Sequence, residues 1–248
     1  MLITEICMQF IYSCKKMDWS QIIPKTAEFT QRHQSAIRRY TGDYLMMNAF
    51  LREEFWRKDA QSKESVYRSL PDEMIRATWQ QFQRDPVMNS IDSIVQAAGL
   101  QEALVVASQT GSYVPTGNIT YRSIHFLSEE FLNQALNTLI PDLDLSTLEI
   151  GTYRQCDDLP VFKSNSFIST SGEKKVVQNH NEDRPNFGGE WMMMFLFHGV
   201  QSNPSSILID SFTDKEQYEV LYRIGLKWII NGIIKIRKGE YRLFIDIS

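Results

Sequence analysis

Four separated segments of this chain carry residue types that do chemistry when brought together. The segment Gln217-Tyr218-Glu219-Val220-Leu221 puts a carboxylate at the start of an apolar strand. Residues two apart share a strand face, so Gln217 and Glu219 are expected to project together. Phe167-Ile168-Ser169-Thr170-Ser171 ends a strand in three hydroxyls, which are short, neutral donors and acceptors. Tyr121-Arg122-Ser123 sets an arginine within a strand, and a guanidinium fork matches two oxygens of a phosphate. In the run from Tyr40 to Arg52, Tyr44, Asn48 and Arg52 fall four residues apart. One helix face would then carry an aromatic, an amide and a guanidinium, a set that can meet ribose and phosphate. Each segment by itself is ordinary: a polar strand edge, a strand exit, half of a salt bridge, a solvated helix face.

The elements that must hold these residues divide the chain in two. Residues 1–110 read as a helical lobe by hydrophobic periodicity, and residues 111–248 as a strand-rich core. Ile37, Tyr40, Tyr44, Met47 and Leu51 recur at helical spacing. Gly42 and Asp43 interrupt them, which predicts two helices, the second starting near Asp43. Asp72–Arg84 is a further helix candidate, and Gly99 is expected to end the segment that follows Pro86. Strands are predicted over Asn118–Phe126, Thr147–Tyr153, Leu159–Ile168, Trp191–Phe197, Ser206–Asp210 and Tyr218–Tyr222. Ile233–Arg237 and Tyr241–Ile247 flank Lys238-Gly239-Glu240 as a closing hairpin. Ser128 is the expected N-cap of one intervening helix, with Glu129 and Glu130 at its positive end. Helices followed by strands predict an α+β fold, with no linker to divide it into separate domains. Gln178–Gly189 is the longest expected loop.

Composition narrows the function classes. A net charge of −4 gives no basic field for nucleic acid. The three cysteines and four histidines (Cys7, Cys14 and Cys156; His33, His125, His180 and His198) lack ligand spacing, so neither a metal site nor a disulfide framework is expected. The apolar-rich first fourteen residues are broken by Glu5 and lack the layout of a secretory signal. The run Trp191–Phe197 is too short to span a bilayer.

Taken in order, the four segments resemble the bacterial mono-ADP-ribosyltransferase exoenzymes and effectors, which include the Rho-modifying and actin-modifying toxins. Ile37, Tyr40, Thr41, Tyr44, Asn48, Leu51 and Arg52 match the family's helix pair. Tyr121 and Arg122 match its aromatic-Arg strand, Ser169 to Ser171 its Ser-Thr-Ser strand, and Gln217, Glu219, Val220 and Leu221 its Gln/Glu-x-Glu strand. The match runs over residues 35–248, and its strength lies in the order of four weak elements.

The resemblance implies an ADP-ribosyltransferase fold over 1–248, a helical lobe packed on mixed, mainly antiparallel sheet. It implies transfer of ADP-ribose from NAD to a host protein side chain, with no metal. Glu219 would be the catalytic carboxylate, Ser169 the residue that holds it or the nicotinamide ribose, and Arg122 the grip on pyrophosphate. Asn48 and Arg52 would assist Arg122, while Ser123 stands where the family commonly has glycine. Arg184 and Phe187, in the long loop, would meet phosphate and nicotinamide. The turn Asp210–Gln217 would select the acceptor, with Phe212 as an aromatic anchor on the partner. Gln217, neutral where arginine-modifying relatives have glutamate, implies an amide or hydroxyl acceptor. The implied setting is a secreted bacterial effector in the host cytosol, with a secretion chaperone among its partners. Two other readings use the same residues: an NAD glycohydrolase, and a non-catalytic interaction module that keeps the fold.

Overall fold

The computed structural model describes residues 26–51, 86–110, 117–126, 128–164, 166–177, 191–199, 206–212 and 218–247; it does not describe the side chains of Thr26, 42–51, 86–94 and Ser211. Two long helices come first, α1 (Gln31–Leu51) and α2 (Pro86–Thr110). Phe29, Ala36, Ile37 and Tyr40 are buried on one side of the α1 region, and Ala97, Leu100, Ala103, Leu104 and Ala107 on one side of α2. The three- and four-residue spacing of these side chains produces a single apolar stripe on each helix.

Both helices run straight through residues expected to break them. The stretch containing Gly42 and Asp43 lies within α1, so one helix replaces the predicted pair. A helical glycine costs about 1 kcal/mol relative to alanine. The buried Ile37 and Tyr40 just before it offset that, at about 1.5–3 kcal/mol for a fully buried large apolar side chain. Gly99 likewise lies inside α2 rather than at its end. A Cβ there would sit 3.1 Å from the Cβ of Ala36, so this glycine lets the two helices approach closely. The candidate helix Asp72–Arg84 falls outside the described residues.

The strands are β1 (Ile119–Phe126), β2 (Tyr153–Gln155), β3 (Phe162–Lys163), β4 (Ile168–Ser171), β5 (Trp191–Gly199), β6 (Ser206–Leu208), β7 (Glu219–Tyr222), β8 (Lys227–Arg237) and β9 (Glu240–Ile247). They form one sheet in the order β2-β8-β9-β5-β1-β4-β7-β6, with β3 paired to β8. Every pairing is antiparallel except β5 with β9. The fold is therefore α+β with a mixed, mostly antiparallel sheet.

Helix α3 (Glu129–Leu139) follows β1, and Ser128 caps it by accepting the Phe131 N–H at 3.3 Å. Leu132 and Leu136, one turn apart, are buried against the sheet. Strand β5 is apolar from Trp191 to Phe197 because both of its faces are covered. Met193, Phe195 and Phe197 join the cluster beneath α3, while Met192, Met194 and Leu196 pack with Phe244 on the other side. The α1–α2 pair meets the far end of the sheet through Phe167, Ile207, Ile209, Phe212 and Leu221.

The β8–β9 hairpin turns at Gly239 (φ 79°), as its sequence predicts. Two predicted strands are mostly loop. Over Thr147–Tyr153, Asp144 caps a 3-10 turn at Leu145–Thr147 by accepting the Ser146 N–H, and a ladder begins only at Tyr153. Over Leu159–Ile168 the chain pairs at Phe162–Lys163 and again from Ile168. Among the described residues, no helix is long and apolar enough to cross a membrane.

Candidate active site

Strand β4 lies between β1 and β7, and this order brings the candidate residues Arg122, Ser169 and Glu219 together. Ser171 is opposite Tyr121 on one side and Glu219 on the other, while Ser169 is opposite Leu221. Ser169 Oγ donates a hydrogen bond to Glu219 Oε1 at 2.6 Å. Such hydroxyl-to-carboxylate bonds are short because the acceptor carries charge. Arg122 Nη1 donates to the Ser169 carbonyl oxygen at 3.0 Å. One serine thus contacts the arginine through its backbone and the carboxylate through its side chain. Among the described residues that is the one hydrogen bond of the Arg122 guanidinium, which has five donors, so the fork retains donors for an anion.

The three hydroxyls of β4 divide their work. Ser169 addresses the carboxylate. Thr170 Oγ1 donates to the Val220 carbonyl at 3.1 Å and stitches β4 to β7. Ser171 Oγ accepts the Glu173 N–H at 3.1 Å, turning the chain out of the sheet. Farther along β7, the Tyr222 hydroxyl lies 3.0 Å from Thr120 Oγ1 of β1, and both residues are fully enclosed. Burial pushes the Tyr222 phenol up to about 12, so it stays neutral and bridges strands on either side of β4.

The chain before Glu219 departs from the sequence expectation. Strand β7 begins at Glu219, and Tyr218 has φ 48°, in the left-handed region that non-glycine residues seldom adopt. Strand alternation does not continue across a left-handed residue, so the shared face argued for Gln217 and Glu219 does not follow from β periodicity. Gln217 itself falls outside the described residues, as do Arg52, Arg184 and Phe187. Asn48 lies in α1, with its side chain undescribed.

Phe212 is not a partner-facing anchor. It is 5% exposed, and its ring meets Phe29 edge-on at 5.0 Å in the core between α1 and the sheet. Arg38 Nε donates to the Phe212 carbonyl at 3.2 Å, adding a polar tie between helix and turn. Tyr218 is the exposed aromatic beside the carboxylate. Ser123 Oγ donates to the Val177 carbonyl at 3.5 Å, so its hydroxyl engages the protein's own backbone.

Sequence reasoning missed Asp210, whose carboxylate receives the backbone N–H groups of Tyr218 and Glu219. The available signal was an aspartate at the exit of an apolar strand, where such side chains habitually collect nearby N–H groups. Among the described residues, no group of three or more His, Cys, Asp or Glu side chains is arranged to hold a metal.

No family model matches the sequence, and no curated protein matches it at sequence level. Solved structures do match by shape. C3stau2 from S. aureus, a structure with NAD, aligns with a TM-score of 0.55 at 14% identity, covering 94% of this chain and 94% of that one. The Vis toxin of Vibrio splendidus, an ADP-ribosyltransferase, aligns at 0.52 and 14% identity over 100% of this chain and 85% of its own. The ADP-ribosyltransferase toxin Plx2a of Paenibacillus larvae aligns at 0.51 and 13% identity over 97% and 96%. The chain therefore has the fold of bacterial ADP-ribosyltransferase toxins.

Proposed function

We propose that this protein is a mono-ADP-ribosyltransferase that uses NAD as substrate and modifies a side chain of another protein. The observation that carries the reading is the 2.6 Å bond from Ser169 to Glu219, with Arg122 joined to the same serine, on an ADP-ribosyltransferase fold. A fixed carboxylate, a hydroxyl that orients it and a guanidinium with spare donors suit a substrate made of a sugar beside a pyrophosphate.

In the reaction the bond between nicotinamide and ribose breaks, and its electron pair leaves with nicotinamide. The Glu219 carboxylate stabilises the positive charge that develops on the sugar and accepts a hydrogen bond from the ribose 2′-hydroxyl. Because Ser169 already holds it, little reorganisation is needed as that charge forms. Arg122 binds pyrophosphate oxygens through its remaining donors, aided by Arg52 and Asn48 from the α1 region. Arg184 and Phe187 meet the phosphate and nicotinamide ends. The acceptor atom then bonds to the ribose carbon and gives up its proton.

Gln217, a neutral amide, favours an amide or hydroxyl acceptor over a guanidinium, which would lack a negative partner to orient it. The biological setting proposed is a secreted bacterial effector that acts on a host protein in the cytosol. Incubation with labelled NAD and a eukaryotic lysate, followed by gel and mass spectrometry, tests the reading. Label on a protein band supports it. Free ADP-ribose without labelled protein would make the chain a glycohydrolase, and untouched NAD would make it a binding module.

A further inference from the structure

Asp210 opens the 3-10 turn Asp210–Phe212 that follows β6, and its carboxylate faces back onto the start of β7. Oδ1 accepts the Glu219 N–H at 2.7 Å, and Oδ2 accepts the N–H of Tyr218. Both oxygens of one carboxylate are thus spent on two consecutive backbone donors, one of which belongs to Glu219 itself. The carbonyls of the same two residues are held as well. Gly172 N–H donates to the Tyr218 carbonyl at 2.9 Å, and Ile209 N–H to the Glu219 carbonyl at 2.9 Å.

The clamp holds a conformation that the residue would not choose. Tyr218 is left-handed at φ 48°, and a non-glycine residue there is strained unless its surroundings determine it. The residue is 39% exposed, so burial of the side chain contributes little to fixing the backbone. Two charge-assisted bonds into one peptide segment do contribute. If Tyr218 relaxed to extended geometry, the Cα–Cβ direction of Glu219 would swing, and its carboxylate would leave Ser169.

We propose that Asp210 is the positioning residue of this site, a carboxylate clamp that locks Tyr218 left-handed and thereby aims Glu219 at Ser169. The proposal rests on the reading of Glu219 as the carboxylate that assists NAD cleavage. Asp210 touches neither sugar nor acceptor; it acts through the peptide that carries Glu219.

The test compares the full-length wild type with Asp210→Asn in NAD cleavage and in amide hydrogen exchange. Asparagine keeps the shape but replaces one acceptor oxygen with an NH2 that faces an N–H. The expected result is a fall in kcat of about tenfold or more with KM for NAD little changed, the signature of a lost transition-state interaction. The Tyr218 and Glu219 amides should exchange at least about tenfold faster, while those within β8 and β9 stay as they were. Adding Tyr218→Gly to Asp210→Asn should recover part of the lost kcat, because glycine takes the left-handed conformation without strain. A purely structural role would show no such rescue. Should Asp210→Asn fail to fold, Asp210→Glu, which keeps the charge but shifts the carboxylate by one methylene, should show the same split between kcat and KM. Unchanged kcat in a variant of an active wild type, or unchanged exchange at the two amides, overturns the inference. A wild type that leaves NAD intact overturns the functional reading and the catalytic part of this one, while the exchange data still decide whether the clamp exists.

Discussion

Ser169 Oγ and Glu219 Oε1 are 2.6 Å apart across the β4–β7 ladder, although fifty residues separate them in the chain. The hydroxyl fixes the direction in which the carboxylate faces. A side chain held in this way can stabilise charge that exists only in a transition state.

Glu219→Gln keeps the shape and the contact with Ser169 but removes the negative charge. Transfer should fall by about 10²–10³-fold in kcat, while NAD affinity stays close to that of wild type. Single-turnover label transfer together with calorimetric NAD titration measures the two separately. Near-normal turnover by this variant would falsify the assignment of Glu219.

Arg122→Lys preserves charge but not the two-pronged donor geometry. Lysine should also fail to span the 3.0 Å contact to the Ser169 carbonyl and reach an anion at once. NAD binding should weaken by about tenfold, roughly 1.4 kcal/mol, as read by calorimetry. Equal affinity in both proteins would make Arg122 a purely structural residue.

Gln217→Ala should impair transfer to protein far more than basal NAD hydrolysis, because the groups that act on the sugar remain. Fragmentation that preserves the linkage should find ADP-ribose on Asn, Gln, Ser or Thr. An arginine linkage would reverse the argument from a neutral acceptor side, and Glu216 would be the next residue to test.

Tyr222 predicts an alkaline limit to stability. Its folded pKa is raised from 10.0 to about 12, so the neutral phenol is favoured in the folded protein. That contribution is fully present below pH 10 and is lost as pH rises through about 12. Tyr222→Phe removes the ionisation, so its stability relative to wild type should improve across this window, as followed by urea unfolding at stepped pH. A difference that stays constant from neutral pH upwards would refute this account.

Gly99→Leu tests the helix crossing. The glycine is already within 3.1 Å of the Ala36 Cβ for any added Cβ, and a leucine carries three further carbons into the same space. Overpacking of this kind costs about 1–3 kcal/mol despite the better helix propensity of leucine. The urea midpoint should fall, and an unchanged midpoint would mean that the helices separate at little cost.

The elements legible in the sequence were those whose cause is local. Ser128 caps α3 because the cap and the N–H that donates to it lie three residues apart, and Gly239 turns the β8–β9 hairpin because the turn needs its φ. The strands at Ile119, Trp191, Ser206 and Glu219 follow from runs of branched and aromatic residues. Arg122, Ser169 and Glu219 were legible by residue type and order alone. That they touch is a consequence of strand order, since β4 must lie between β1 and β7 for Ser169 to reach both.

Tertiary structure decided the rest, because each remaining feature depends on atoms remote in sequence. Gly99 reads as a helix end until Ala36 is packed against it, and Gly42 reads as a break until the lobe's core holds α1 together. Phe212 reads as a surface aromatic until Phe29 covers it. Tyr218 reads as one more strand residue, and only the folded chain brings Asp210 beneath it to hold a backbone that strand propensity opposes. Residue type and order supplied the candidate site; the contacts of Asp210 with the Tyr218 and Glu219 backbone form only when the sheet closes.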